Sequence, residues 1–189
     1  MGRKILIIVD GQYSFIEGGS LAVEGGRNAL NNLVEFIKNH YKEYDGIFLT
    51  ADWHPITHCS FKDNGGIWPP HCVQFSQGAA IYQPILDVLD ELRIDYDVLT
   101  KGCDEDHEEY SIFKNVISEA YLKAMNKHNE IGEVHVCGLA LDFCVKDSIM
   151  DGKKTFVNSQ FKLIKDCTAA IGNPEDTYKI LEENNVMII

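Results

Sequence analysis

The stretch KILIIV, residues 4–9, is a nearly continuous apolar run that stops at Asp10. Runs of this kind are typical of a strand that is buried on both faces of a parallel sheet. Residues 27–39 follow and have a helical period, and residues 46–51 (GIFLTA) form a second strand candidate. One face of that helix is expected to carry Leu30, Leu33, Val34 and Ile37. A strand, a helix and a strand in this order predict a β-α-β unit.

The same alternation continues along the rest of the chain. Further strands are predicted at 97–100, 133–137, 161–165 and 186–189, and further helices around 113–127, near 142–151 and from Pro174 to about Asn184. The pattern predicts an α/β fold, namely a doubly wound, mainly parallel β-sheet with helices on both faces, in three layers. The length of 189 residues, without an internal repeat or a linker, predicts a single domain over 1–189.

Composition excludes several classes of protein. The chain has 17 Lys+Arg against 29 Asp+Glu, a formal charge of −12, which argues against a nucleic-acid-binding surface. The apolar run at residues 5–9 is too short for a signal peptide or a membrane span. We therefore expect a cytoplasmic protein without a membrane partner, whose six cysteines are reduced. A homo-oligomer remains open.

Residues 52–84 break the alternation, with no sustained periodicity and three histidines. A structureless segment of this length in a compact domain is often functional. Ligands of open α/β sheets bind beyond the carboxyl ends of the strands. We therefore expect Asp10, Asp52, Lys101 and the loop that leads to Cys144 to meet at one rim.

Three of these residues suggest covalent catalysis. Cys144 lies in GLALDFCV (138–145) at the start of a helix, where the dipole favours a thiolate and free N–H groups can hold an oxyanion. Lys101, between a carboxylate and a thiol, would bias the thiol towards ionisation. Taken singly, Asp10, Lys101 and Cys144 are more commonly a turn former, a surface lysine and a buried structural cysteine.

A second group has the chemistry of a metal site. One carboxylate and up to three imidazoles can ligate Zn²⁺, Mn²⁺ or Fe²⁺, and the candidates are Asp52, His54, His58 and His71. Loop histidines are also commonly just exposed or hydrogen-bonded. The aromatic residues near the two groups, Phe15 and Trp68, could equally pack in the core. Residues 104–109 (DEDHEE) are most simply a solvated acidic loop.

The combination of motifs resembles nicotinamidases of the isochorismatase-like hydrolase superfamily. The motifs, in order along nearly the whole chain, are IIVDGQYSF (7–15), GGSL (18–21), TADWHP (50–55), HCSF (58–61), WPPHCV (68–73), TKG (100–102), YSIF (110–113) and GLALDFCV (138–145). The resemblance implies a doubly wound α/β fold. It also implies hydrolysis of nicotinamide to nicotinate and ammonia through a cysteine nucleophile, as part of NAD salvage.

Roles of single residues are implied by the same resemblance. Asp10, Lys101 and Cys144 match the catalytic triad, and Phe15 and Trp68 match aromatics that flank the pyridine ring. The implied metal ligands are Asp52, His54 and His71, with His58 as the third histidine of many bacterial members. The ion is one divalent metal, Zn²⁺ in the first place, with Fe²⁺ and Mn²⁺ as alternatives.

The resemblance extends to the oxyanion hole. In the family, a cis peptide precedes the position that Ala140 occupies here. The N–H groups of Ala140 and Cys144 would form the oxyanion hole. Two positions depart from many family members: Ser14 replaces an Asp, and Phe143 stands before the nucleophile. These departures leave the reaction class unchanged and concern the details of the pocket.

Other functions remain open at this point. A related amidase could act on an N-carbamoyl or ureido substrate, although such relatives often lack the metal ligands. A non-covalent isochorismatase would lack the nucleophile that Cys144 supplies. A metal-binding module without activity would require Asp10, Lys101 and Cys144 to coincide by chance.

Overall fold

The computed structural model describes residues 2–128 and 130–189. Within these ranges six strands form one sheet, in the order β3-β2-β1-β4-β5-β6, and every neighbouring pair is parallel. The strands are β1 (Arg3–Val9), β2 (Gly46–Asp52), β3 (Tyr96–Lys101), β4 (Ile131–Leu139), β5 (Gln160–Ala169) and β6 (Met187–Ile188). The helices are α1 (Gly26–His40), α2 (Gln83–Glu91), α3 (Val116–Met125), α4 (Lys146–Thr155) and α5 (Pro174–Glu183). The predicted doubly wound α/β fold is confirmed, and its sheet is parallel throughout these ranges.

The position of β1 explains its unbroken apolar sequence. It lies between β2 and β4, with Ile8 paired to Leu49 on one side and to Cys137 on the other. Residues 5–9 are all buried because helices cover both faces of the sheet.

Two apolar clusters fill the spaces between the sheet and its helices. Leu6 and Ile8 of β1 belong to one cluster, together with Leu30 and Leu33 of α1 and with residues of α2. Ile5, Ile7 and Val9 belong to the other, with residues of α3, α4 and α5. Alternate side chains of one strand therefore anchor opposite layers, as the pleat of a strand requires.

The structure corrects the sequence reading of α3. The helix starts at Val116 because the Asn115 side chain caps it by accepting a hydrogen bond from the Ser118 N–H. Phe113 lies outside it, in a separate 3-10 turn. With this start, Leu122 faces the core, while Val116 and Ile117 are 79% and 80% exposed.

Other elements also differ from the sequence pattern. α2 was not recognised, although Ile85, Val88 and Leu89 have helical spacing and are buried. The segment after β2 contains short bridges, His54 to Val73 and Phe61 to Trp68, and is not structureless.

No helix in the described ranges is long and apolar enough to cross a membrane. The single domain over 1–189 stays a prediction.

Gly138 in β4 provides a test of how closely β1 and β4 approach. Its φ is +110°, and a Cβ there would lie 2.0 Å from the Val9 carbonyl oxygen. Gly138→Ala should therefore lower the free energy of unfolding in urea by roughly 3 kcal/mol, from left-handed strain plus overpacking.

The matched control is Gly18→Ala. Gly18 has a φ of +93° but no heavy atom within 4 Å of its would-be Cβ. It should lose only about 1 kcal/mol, from strain alone. Equal losses in the two variants would contradict a steric role for Gly138.

Candidate active site

Chemistry-bearing side chains sit at the carboxyl ends of four adjacent strands. Asp10 follows β1, Asp52 ends β2, Lys101 ends β3, and Cys144 lies in the turn after β4. The chain order of the strands reverses between β1 and β4, which is where a doubly wound sheet opens a crevice. The structure thus brings together the four residues that the sequence places at one rim.

Lys101 lies at the centre of this group and is fully buried. Its Nζ is 2.8 Å from Asp10 Oδ2, 2.5 Å from Asp52 Oδ1 and 3.3 Å from Cys144 Sγ. Burial alone would lower the pKa of Lys101, but the two carboxylates hold it well above its usual value. Lys101 is therefore a permanent positive charge inside the protein.

The Lys101 ammonium also bears on whether Asp10, Asp52 and Cys144 could bind a metal ion. Ligand atoms of Asp10, Asp52 and Cys144 lie within 4.8 Å of one another, close enough to suggest a metal site. The Lys101 ammonium already contacts all three residues, and its charge offsets part of the negative charge of the two carboxylates. We therefore regard this group as an ion cluster.

Asp10 has the properties of a general base. Its Oδ1 accepts a hydrogen bond of 2.6 Å from the Thr50 hydroxyl, and its Oδ2 faces Lys101. Burial raises the pKa of Asp10 above its usual value, against the opposing effect of Lys101. A carboxylate with a raised pKa is better suited to accept a proton.

The surroundings of Cys144 favour the protonated thiol. Burial raises the pKa of Cys144 well above its usual value, although Lys101 acts in the opposite direction. Burial thus opposes the thiolate that the start of a helix favours. Cys144 lies in a π-helical turn, Leu141–Val145, ahead of α4, and it is buried. Attack by this sulfur consequently needs a base nearby, and Asp10 is in place.

The turn before Cys144 presents backbone donors. The Leu139–Ala140 peptide is cis, as the resemblance implies. The Ala140 carbonyl accepts hydrogen bonds from the N–H groups of Phe143 and Val145. Within the described part of the chain no residue accepts a hydrogen bond from the Ala140 N–H, which leaves this donor available.

Asp52, His54 and His71 form the candidate metal centre. Asp52 Oδ2 lies 3.4 Å from His54 Nε2 and 3.9 Å from His71 Nε2. The Nδ1 atoms of the two histidines lie 2.9 Å from the Gly102 carbonyl and 2.8 Å from the Pro69 carbonyl. A backbone carbonyl on Nδ1 fixes the proton there and turns the Nε2 lone pair towards the site.

The charge states of Asp52 and His71 suit a divalent cation, whereas Asp52 outweighs burial and raises the pKa of His54, so that a metal ion would have to displace a proton there. Burial would raise the pKa of Asp52, but Lys101 and His54 outweigh it and hold the pKa well below its usual value. Burial lowers the pKa of His71 to about 4, so this imidazole is neutral. An ionised carboxylate with a neutral imidazole is the protonation state that metal binding requires.

His58 lies beside the candidate metal centre. Its ring is tilted against that of His54, with 4.0 Å between centroids, and it does not join the three converging ligand atoms. Its Nδ1 is 2.7 Å from the Ser60 hydroxyl and its Nε2 is 3.1 Å from the His107 carbonyl. Both ring nitrogens are therefore engaged, and we leave His58 out of the ligand set proposed below.

The acidic segment 104–109 is fastened to the loop that contains His58. The Cys59 N–H donates to the Glu105 carbonyl at 2.7 Å, and the Thr57 hydroxyl donates to the Glu105 carboxylate at 2.6 Å. The segment is exposed, as expected of a solvated acidic loop, and these hydrogen bonds fasten its backbone to the loop of His58.

A cavity opens above Cys144 and Asp52. Its lining is mainly aromatic and aliphatic, and consists of Phe15, Leu21, Asp52, Trp68, His71, Glu108, Tyr110, Ala140, Phe143, Cys144 and Ile171. Trp68 lies 5.0 Å from Phe143 between ring centroids and donates its Nε1–H to the Tyr110 hydroxyl at 2.9 Å. The cavity encloses only about 20 Å³, so an aromatic ring enters it only if side chains of the wall move apart.

Sequence reasoning assigned no role to several residues of the site. Leu21 and Tyr110 lie in the quoted motifs GGSL and YSIF, so a signal for them existed, whereas Ile171 carried none. Gln12 is fully buried, and its side-chain amide bonds both the N–H and the carbonyl of Asp52, each at 2.8 Å. Gln12 thereby fixes the backbone of a candidate ligand.

The two departures from the family pattern have structural roles. Ser14 is buried and its hydroxyl accepts a hydrogen bond of 2.9 Å from the Cys72 N–H, next to His71. Phe143 forms part of the cavity wall. Both residues thus shape the pocket without entering the triad.

Comparisons with known proteins agree with this geometry. The sequence model of one family, described as the isochorismatase domain, matches residues 4–184. The nicotinamidase of Acinetobacter baylyi is 32% identical, over 87% of this chain and 80% of its own.

Two solved structures are also similar to this chain. The PnC1 protein of L. infantum, in complex with nicotinate, is 33% identical with a TM-score of 0.84, over 100% of this chain and 92% of its own. The pyrazinamidase of Pyrococcus horikoshii, in complex with zinc, is 30% identical with a TM-score of 0.82, over 99% and 98%.

Lys101 can be tested by a neutral replacement of similar length. Lys101→Met leaves Asp10 and Asp52 buried without their cation, which should cost roughly 3–5 kcal/mol of unfolding free energy. Urea unfolding measures it. Lys62→Met, in the loop that contains His58, should change stability by less than about 0.5 kcal/mol. Wild-type stability in Lys101→Met would contradict the ion cluster.

Proposed function

The chain belongs to the isochorismatase-domain family, and we propose from this membership that it hydrolyses nicotinamide to nicotinate and ammonia. The observation that carries the proposal is the position of Lys101 in direct contact with the Cys144 thiol and the Asp10 carboxylate. The reaction class is amide hydrolysis through a thioester. The relative from Acinetobacter baylyi is a nicotinamidase, and the L. infantum neighbour binds nicotinate.

The cavity favours a small, neutral aromatic amide. Phe15, Trp68 and Phe143 provide apolar walls for a ring, and Cys144 and Asp52 provide polar groups among them. A neutral substrate needs no basic surface to attract it, which agrees with a net charge of −12.

Asp52, His54 and His71 would hold the metal ion. The donor set fits a divalent cation, with one carboxylate oxygen and two imidazole nitrogens directed to the same place. Zn²⁺ is our first choice because the Pyrococcus horikoshii neighbour binds zinc, and Fe²⁺ and Mn²⁺ are alternatives for the same donors. When bound, the ion supplies a Lewis-acidic partner for the pyridine nitrogen and so orients the ring.

The first chemical step is the attack of Cys144 on the carboxamide carbon. Asp10 takes the proton of the thiol as the carbon–sulfur bond forms, and Lys101 keeps the cluster electrically balanced. The substrate oxygen gains negative charge and is stabilised by the N–H groups of Ala140 and Cys144.

The second step releases ammonia and then nicotinate. Asp10 returns its proton to the departing nitrogen as the carbon–nitrogen bond breaks, which leaves a thioester on Cys144. Asp10 then takes a proton from water, whose oxygen attacks the thioester carbon. The thiol regains its proton when the carbon–sulfur bond breaks, and the site returns to its resting state.

The alternatives have less support. An N-carbamoyl or ureido amidase leaves the convergence of Asp52, His54 and His71 without a purpose. A module without activity leaves the contact between Lys101 and Cys144 unexplained. We propose cytoplasmic NAD salvage as the setting. The absence of nucleic-acid and membrane partners stays a prediction, and a homo-oligomer remains open.

Cys144→Ala tests the covalent mechanism. Ammonia release from nicotinamide should fall by at least about 10³-fold, because the nucleophile is gone. Calorimetric binding of nicotinamide should remain measurable, since the cavity walls are unchanged. Cys167→Ala is the control: this thiol is buried against α1, and its loss should leave the rate intact. Residual turnover near the wild-type rate would refute a thioester.

Metal removal tests the donor set. Dialysis against a chelator should abolish ammonia release, and added Zn²⁺, Fe²⁺ or Mn²⁺ should restore it. By titration calorimetry of the metal-free protein, His54→Gln should weaken Zn²⁺ binding by roughly 100-fold or more, since a direct ligand is lost. His58→Gln should change it by less than about tenfold. Equal losses would show that His58 is a ligand as well.

A further inference from the structure

Asp142 lies in the turn that presents the nucleophile, two residues before Cys144, and the mechanism above gives it no role. Its Oδ1 accepts a hydrogen bond of 3.0 Å from the Ile171 N–H, and its Oδ2 accepts one of 2.7 Å from the Gly172 N–H. One carboxylate therefore binds two consecutive backbone amides of a segment that is 29 and 30 residues away in sequence.

The segment that Asp142 binds forms part of the cavity wall. Residues 170–173 connect β5 to α5, and Ile171 lines the same cavity as Cys144. The Ile171 side chain is 44% exposed and so lies at the surface, where packing restrains it less than a core residue. The bonds to Asp142 thus join this wall to the turn of the nucleophile.

The contact joins one carboxylate to two backbone N–H groups. A carboxylate that accepts from backbone N–H groups forms charge-assisted hydrogen bonds, which are shorter and stronger than neutral ones. Gly172 leaves room for it, because a Cβ at Gly172 would approach Asp142 Oδ2 to 3.2 Å. A side chain at position 172 would press on the same oxygen.

We propose that Asp142 is a positioning residue, which fixes the Ile171 segment as a wall of the substrate cavity relative to Cys144. The inference rests on the proposed amidase function for its kinetic consequence, whereas the contact itself does not. A wall that holds the ring contributes equally to substrate and transition state, so its loss raises KM and leaves kcat nearly unchanged.

The experiment measures steady-state ammonia release from nicotinamide in the metal-loaded protein. Asp142→Ala removes both acceptors and should raise KM by roughly tenfold or more, with kcat within about threefold of wild type. Asp142→Asn keeps one acceptor oxygen and should restore part of the loss. Gly172→Ala should raise KM from the other side of the contact.

Asp147→Asn is the matched control. Asp147 is five residues further along the same stretch, and its carboxylate faces Lys146 at 3.5 Å. It removes an equal charge near the nucleophile without touching residues 170–173, and it should keep wild-type KM. A KM increase equal to that of Asp142→Asn would attribute the effect to charge and overturn the proposal.

Hydrogen exchange of the Ile171 and Gly172 amides separates this proposal from the function. Both amides should exchange faster in Asp142→Ala. Unchanged protection of the two amides would show that Asp142 does not hold this segment. Faster exchange with a wild-type KM, or with a fall in kcat alone, overturns the positioning role. If the wild type releases no ammonia, the proposed function fails. Amide exchange alone then decides whether Asp142 holds the Ile171 segment.

Discussion

The rest of the site depends on the contacts that the buried Lys101 ammonium makes with its neighbours. Two carboxylates, Asp10 and Asp52, could not remain ionised side by side in the interior without a cation between them. Lys101 meets both and also touches the Cys144 sulfur. One charge thereby permits a general base, a candidate metal ligand and a nucleophile to share a small, dry volume.

Asp52 links the two halves of the site. Its Oδ1 meets Lys101, while its Oδ2 faces the two histidines of the candidate metal centre. The carboxylate therefore belongs to the ion cluster and to the metal site at once. Gln12 bonds both the N–H and the carbonyl of Asp52, which fixes the backbone of this shared residue.

The doubly wound sheet supplies the geometry for this arrangement. β1 and β4 are neighbours in the sheet although more than a hundred residues separate them, and their connections leave in opposite directions. The backbone bends sharply where they end, with positive φ at Asp10 and Gly138. Conformations of this kind persist where the surrounding structure enforces them, as it does at many functional sites.

Some of this could be predicted from the sequence because it depends on local pattern. The apolar run at 4–9 predicts a buried strand, and polar residues at successive strand ends must meet at one edge of a parallel sheet. The start of α3 could not be predicted from the helical period, because the Asn115 cap and the separate turn that contains Phe113 set it. The hydrogen bonds that fasten the exposed segment 104–109 to the loop of His58 could not be predicted, because they join residues more than forty positions apart.

By itself the sequence determined the fold class, the rim and the residue types gathered there, because periodicity and strand ends are written into neighbouring residues. The tertiary structure decided the rest. It buried Cys144 in surroundings that favour the thiol, engaged the ring nitrogens of His58 with Ser60 and His107, and joined Asp142 to the wall that contains Ile171. Desolvation and hydrogen bonds act between atoms close in space, and their partners become neighbours only once the chain has folded.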